Sequence, residues 1–151
     1  MIRGAEFSFD KKERYSLKRE WDKSKSKILY IMYNPSLADH KSDDPTTRRL
    51  INFTKKFNYG GFLVANIFTK ITPNPKEIGK SKGISDKNLE KLIELINKVD
   101  QIVYAWGNSF EEPQFLKELI LCPKCLGKNL NGTPKHPLYL PSSSRLESYR
   151  D

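Results

Sequence analysis

Asn34-Pro35-Ser36, Asn66, Trp106-Gly107 and His136-Pro137 are the segments of this 151-residue chain whose side chains suit binding and chemistry. An asparagine amide is donor and acceptor at once, which matches the Watson–Crick edge of a pyrimidine, and Asn66 has that capacity. The carbonyl oxygen of Asn34 can hold a water molecule but cannot deprotonate it, so hydrolysis built on Asn34 would run mainly on positioning. Asp39, Asp43 and Asp44 follow in the same stretch. Asp44 precedes Pro45 and reads as a helix N-cap. That leaves Asp39 and Asp43 open as sources of negative charge, with Asp43 a candidate catalytic group. The apolar tip Leu138-Tyr139-Leu140 follows His136, and Lys128, Lys135, Arg145 and Arg150 are placed to meet phosphates. Each feature also has a plainer reading. Asn66 can satisfy a strand end, Trp106 can be core, His136 can be a structural hydrogen-bonded histidine, and the cations can be scattered surface charge.

The elements that must position these residues follow from hydrophobic spacing. Residues around DKKE alternate from Glu6 to Leu17, which predicts a small hairpin. Ile28 to Tyr33 is a continuous apolar run of strand length, the pattern of a strand covered on both faces. Leu50, Phe53 and Phe57 form the apolar stripe of a helix opening at Pro45, with the glycines after Tyr59 as its stop. Phe62 to Phe68 reads as a second buried strand, and Thr72-Pro73-Asn74-Pro75 as a break. Ser85 caps a helix whose Leu89, Leu92, Ile93 and Ile96 share a face. Gln101 to Trp106 reads as a third strand, a helix runs from about residue 111 to 121, and a short fourth strand starts near Lys124. Strands and helices alternating in this way predict an α/β, three-layer single domain over residues 1–151. Its central sheet is expected to be four-stranded and mainly parallel, with the N-terminal β-hairpin beside it. Ligands of such sheets bind outside the carboxyl ends of the strands, where the polar segments above all fall.

Composition narrows the classes. Twenty-seven Lys+Arg against 18 Asp+Glu leave a net charge of +9 and a pI near 9.5, consistent with a polyanionic partner. No stretch approaches the ~20 apolar residues of a membrane span. The N-terminal residues lack the apolar segment of a secretory signal. A cytoplasmic monomer without membrane contact is the expectation. Cys122 and Cys125 in CPKC are half of a four-ligand zinc site that no nearby histidine completes, so neither metal nor cofactor is expected.

In their order, these segments resemble the uracil-DNA glycosylase superfamily, and the first motif most resembles its mismatch-specific uracil/thymine branch. Asn34-Pro35-Ser36 stands where that family has Asn-Pro-Gly. Asn66 stands at the strand end that reads the everted base, Trp106-Gly107 at the third strand's ending, and His136-Pro137 at the start of the His-Pro loop. The whole set is also similar to a bacterial and phage family of unknown function carrying NPS, DDPT, WG and HPLYLP. The first resemblance implies a DNA glycosylase. In it Asn34 orients water and His136 donates a hydrogen bond to the departing base, while Pro35, Ser36, Asn66 and Trp106 bind that base. Leu140 is the wedge, and Tyr139, Lys135 and Arg145 hold DNA. Ser36 stands where strict uracil enzymes carry a pocket-filling tyrosine, which implies room for a modified or 5-substituted pyrimidine. A binding module that has lost catalysis, and a hydrolase of free modified nucleotides, remain as alternatives. The expectation to test is that Asn34, Asn66, Trp106 and His136 line one pocket.

Overall fold

A computed structural model of the chain describes residues 1–33, 35, 40–68 and 84–150. Its elements in order are β1 (Ile2–Phe7), β2 (Arg14–Glu20), β3 (Lys27–Met32), α1 (Pro45–Lys56) and β4 (Gly61–Asn66). After these come α2 (Asp86–Ile96), β5 (Gln101–Tyr104), α3 (Gln114–Leu119), β6 (Lys124–Cys125), a 3-10 turn at Pro137–Tyr139, and β7 (Glu147–Ser148).

Among the described residues the strands form one mixed sheet of seven, ordered β1-β2-β4-β3-β5-β6-β7. β3 pairs in parallel with β4 and β5, and β5 with β6, whereas β1–β2, β2–β4 and β6–β7 are antiparallel. The expected sheet of four strands is thus corrected to seven. The N-terminal hairpin is not a separate appendage, because β2 adds directly to the free edge of β4, and β7 does the same for β6. Both additions cover edges whose backbone groups would otherwise lie open.

Side-chain alternation divides the interior into two cores. Ile28, Tyr30 and Met32 of β3, with Phe62 and Val64 of β4, meet Leu50, Ile51 and Phe53 of α1 on one side. Leu29 and Ile31, with Leu63 and Ala65, meet Leu92 and Leu95 of α2 and Leu116 of α3 on the other. Helices on both faces explain why β3 reads as an unbroken apolar run. A polar contact fixes the placement of α1: the buried hydroxyls of Tyr30 and Thr54 are 2.8 Å apart, and Thr54 Oγ1 also donates to the Leu50 carbonyl.

The boundary after α1 has a different cause from the one expected. Asn58, with a left-handed φ of 66°, turns the chain. Gly60 is needed for contact instead, since a Cβ there would stand 1.9 Å from the Asp22 carbonyl oxygen.

The hairpin is clamped to the segment before α1 through Arg19, whose side chain is 0% exposed. Its Nε donates to Asp43 Oδ1 at 2.8 Å and its Nη2 to the Ser42 carbonyl at 3.1 Å, while Arg3 Nη1 reaches the same Asp43 oxygen at 2.7 Å. Burial alone would raise the Asp43 pKa, but the hydrogen bonds from Arg3 and Arg19 outweigh it and hold the carboxyl below its ordinary range. Removing the carboxylate would take from the buried Arg19 guanidinium its partner at 2.8 Å. Asp43→Ala should therefore lose about 3 kcal/mol at neutral pH in urea unfolding, the low end for a broken buried pair because Asp43 keeps some solvent contact. A depressed folded-state pKa gives stability that is full above the ordinary aspartate value of ~3.9 and disappears as pH falls through the folded value. The wild-type advantage over the variant should follow that acid profile, and a gap that does not depend on pH would contradict the clamp.

Candidate functional site

The register of the parallel strands brings Met32, Asn66 and the residues after Tyr104 to one end of the sheet. α1 runs back from that end, so its N-terminus also lies there, capped by Asp44 Oδ1 accepting from the Thr47 amide at 2.8 Å. Asn66 continues the alternation of Phe62 and Val64, which directs its side chain to the α1 side.

The end of β4 is fastened by a residue that the sequence reading missed. Asn88 sits on the first turn of α2, whose cap is Ser85. Its Nδ2 donates to the carbonyls of Asn66 at 2.8 Å and Ile67 at 3.1 Å. A polar residue at the third helical position normally reaches back to its own cap; Asn88 reaches across to the strand instead. Its signal in the sequence was an asparagine three positions after a capping serine. With the backbone carbonyl thus occupied, the side chain of Asn66 is 3% exposed and its Nδ2 finds no partner among the described residues. A buried donor left unpaired costs on the order of 1–3 kcal/mol, which a ligand that accepts from it would recover.

His136 begins the 3-10 turn and caps it with its own ring, Nδ1 accepting from the Leu138 amide at 3.2 Å. An accepting Nδ1 places the proton of the neutral ring on Nε2. The ring remains solvent-exposed, yet desolvation by the protein packed around it lowers its pKa, while the carboxylate of Asp44 acts in the opposite direction. His136 Cβ lies 3.6 Å from where a Cβ of Gly107 would stand, and the turn packs on α1. The imidazole borders an open cleft of about 340 Å³ lined by Gly107, Asn108, Asn129, Lys135 and Tyr139. The backbone around it is pinned by bonds from the Gly107 amide to the Pro134 carbonyl and from the Lys135 amide to the Gly127 carbonyl.

α1 holds the far wall. Arg49 donates to the Leu140 carbonyl and lies 4.9 Å over the Phe53 ring, and Lys56 reaches the carbonyls of Ser142 and Ser144. Neither cation stood out in the sequence, because their partners are backbone groups more than eighty residues away.

The expected constellation is brought together only in part. Asn66 and His136 share the α1 side of the carboxyl end. Trp106 does not join them: it is 2% exposed in the opposite core, stacked on Phe110 with centroids 5.0 Å apart, and its indole N–H is spent on the Phe110 carbonyl at 2.9 Å. Asp43, the candidate source of negative charge, is held by two guanidiniums that stabilise its charged form and weaken its basicity. Leu140, the expected wedge, is half-buried against the first core, and Tyr139 beside it is 93% exposed. Lys135 lines the cleft; Arg145 is exposed beyond its walls. Arg150 is not available for phosphate, being paired with Glu112 at 2.8 Å. Pro35 is buried, and Asn34, Ser36, Asp39 and the Thr72–Pro75 break lie outside the described residues. Cys122 is exposed and Cys125 buried, both free thiols. No helix among the described residues is long and apolar enough to cross a membrane.

Residues 14–138 match the family described as Protein of unknown function (DUF1643). The chain belongs to that family. The matched region runs from the first residue of β2 to the 3-10 turn, so the Asn66 strand end and the His136 cleft are inside it and β1 is not. No curated protein and no solved structure matches the chain.

The tautomer and the lowered pKa give one prediction. In a ¹⁵N NMR titration, His136 should carry its proton on Nε2 at neutral pH and titrate below the ordinary histidine value of ~6.5. A ring protonated on Nδ1, or a midpoint above that value, would contradict the capping geometry.

Proposed function

We propose that this DUF1643 chain is a monofunctional DNA glycosylase that hydrolyses the N-glycosidic bond of an everted, modified or 5-substituted pyrimidine. The reading is carried by one arrangement: on the same side of the carboxyl end of the parallel strands, Asn66 Nδ2 has no acceptor among the described residues, and the Nδ1 contact of His136 leaves the ring proton on Nε2. Breaking an N-glycosidic bond gives the sugar oxocarbenium character and the departing base negative charge. Fixed donors at the base oxygens stabilise that charge where it develops. A neutral imidazole with an outward Nε2–H supplies such a donor without needing to be protonated. The Asn66 amide adds the donor–acceptor pair that matches a pyrimidine edge. Asn34, at the motif that resembles the water-binding asparagine of the uracil-DNA glycosylase superfamily, is assigned the nucleophilic water. The net charge of +9 suits a DNA partner, since phosphate contacts supply the sequence-independent part of such binding.

The sequestration of Asp43 by Arg3 and Arg19 favours a second reading, a nucleic-acid-binding module without catalysis. Mass spectrometry of bases freed from a panel of DNAs with modified pyrimidines separates the two. The glycosylase reading expects release of one base class, abolished in Asn34→Ala. His136→Ala should slow it about 10²–10³-fold, the usual effect of deleting one donor to a developing oxyanion. DNA binding without release of any base would leave the binding module.

A further inference from the structure

Two turns hold a large apolar side chain wholly in solvent, and both project from the same end of the sheet. The first joins β1 to β2. β2 is antiparallel to β4, with Glu20 opposite Gly61 and Leu17 opposite Val64, so the turn preceding it passes beyond the carboxyl end of β4. Phe9 at its tip is fully exposed. The turn is tightly determined: the Ser8 amide donates to the Glu13 carbonyl, the Glu13 amide to Ser8 Oγ, and Asp10 Oδ1 accepts from both Ser8 Oγ and the Lys12 amide. The second turn follows β6, which is parallel to β5, so it too lies beyond the carboxyl end. Leu130 at its tip is fully exposed. Here the Asn129 amide donates to the Thr133 carbonyl, Asn129 Nδ2 to Thr133 Oγ1, and Thr133 Oγ1 to Asn131 Oδ1.

A rigid turn that presents an apolar side chain to water gains no folding stability from it, because burial is the source of that gain. The tips differ in charge: Lys128 and Lys135 bracket the second turn with no acid between them, whereas Asp10 and Glu13 offset Lys11 and Lys12 on the first. Strand order places the tips on either side of the His136 cleft. Four strand spacings separate β2 from β6, about 20 Å at ~4.8 Å each, or roughly six nucleotides at a 3.4 Å rise.

We propose that Phe9 and Leu130 are the two nucleobase-engaging tips of a DNA-binding rim, contacting the nucleotides on either side of the one held at the cleft. The lysines of the second turn and the net charge of +9 commit the rim to a polyanion, and the apolar tips commit it to the faces of bases. Phe9 stacks on a base, Leu130 fills space between bases, and the neighbouring lysines meet the phosphates. This rests on the reading that the cleft receives a base from DNA, and extends it to residues far from the reacting bond.

The test is fluorescence anisotropy with a labelled duplex carrying one abasic site, for the intact chain and three single variants. Phe9→Ala and Leu130→Ala should each raise Kd about fivefold or more, as truncation of a base-stacking side chain does. Leu121→Ala serves as control, because Leu121 is equally apolar and exposed but precedes β6, at the opposite end of the sheet. Its Kd should not move. All three should melt with the intact chain, since the side chains removed lie in solvent. Unchanged Kd in Phe9→Ala and Leu130→Ala, with the intact chain binding well, would overturn the rim and leave the glycosylase reading standing. An intact chain that does not bind DNA would overturn both. Flotation with phosphatidylserine vesicles, lost in the same two variants while DNA binding is not, would assign the tips to a lipid surface and overturn the proposal.

Discussion

Two asparagines hold the end of β4, and among the described residues only one of them has its amide donor satisfied. Asn88 spends both hydrogens of its Nδ2 on the carbonyls of Asn66 and Ile67, which fixes the strand end and occupies its backbone acceptors. The Nδ2 of Asn66 is itself buried and has no acceptor among the described residues. This follows from the layering. With α1 on one face and α2 on the other, water is excluded from both sides of β4, so a polar side chain at its last position must find a partner in the protein or in a ligand. The same layering sets Met32 beside Asn66 and brings the N-terminus of α1 to that end, near enough for Asp44 to act on His136.

The charged contacts divide into those that build the frame and those left for a partner. Arg19, Arg49, Lys56 and Arg150 are committed to Asp43, to carbonyls of the 140–144 segment, or to Glu112. These pairs tie the hairpin and the C-terminal loops to the sheet and α1, and so shape the walls of the cleft. Lys128, exposed beside the second projecting turn, and Lys135 at the cleft carry charge without an acid in the same turn. A net positive charge therefore says less about partners than its distribution does, since several of the cations are structural.

How far the sequence discloses this varies with the range of the interaction. ILYIMY is legible as a buried strand because every residue of β3 from Ile28 to Ile31 is covered, and the capping roles of Asp44 and Ser85 are legible because a cap is a local bond. Asn66 and His136 stand out as polar residues at strand ends. The core placement of Trp106 follows from strict alternation: Ala105 faces the α1 core, so its neighbour must face the other one. The clamp on Asp43 is not legible because its partners, Arg3 and Arg19, lie on strands 40 and 24 residues earlier. The merging of the hairpin with the main sheet and the reach of Asn88 to β4 are non-local in the same way.

The central claim is that the spare amide of Asn66 and the Nε2–H of His136 serve one ligand. The most direct measurement is NMR of the Asn66 side-chain amide and the His136 ring during titration with DNA carrying the modified pyrimidine that the chain binds, with the Asn88 amide as internal reference. Both signals should move together and the Asn66 amide should gain protection from exchange, while Asn88, already bonded, stays in place. Saturating DNA binding with the Asn66 and His136 signals unmoved would contradict the account.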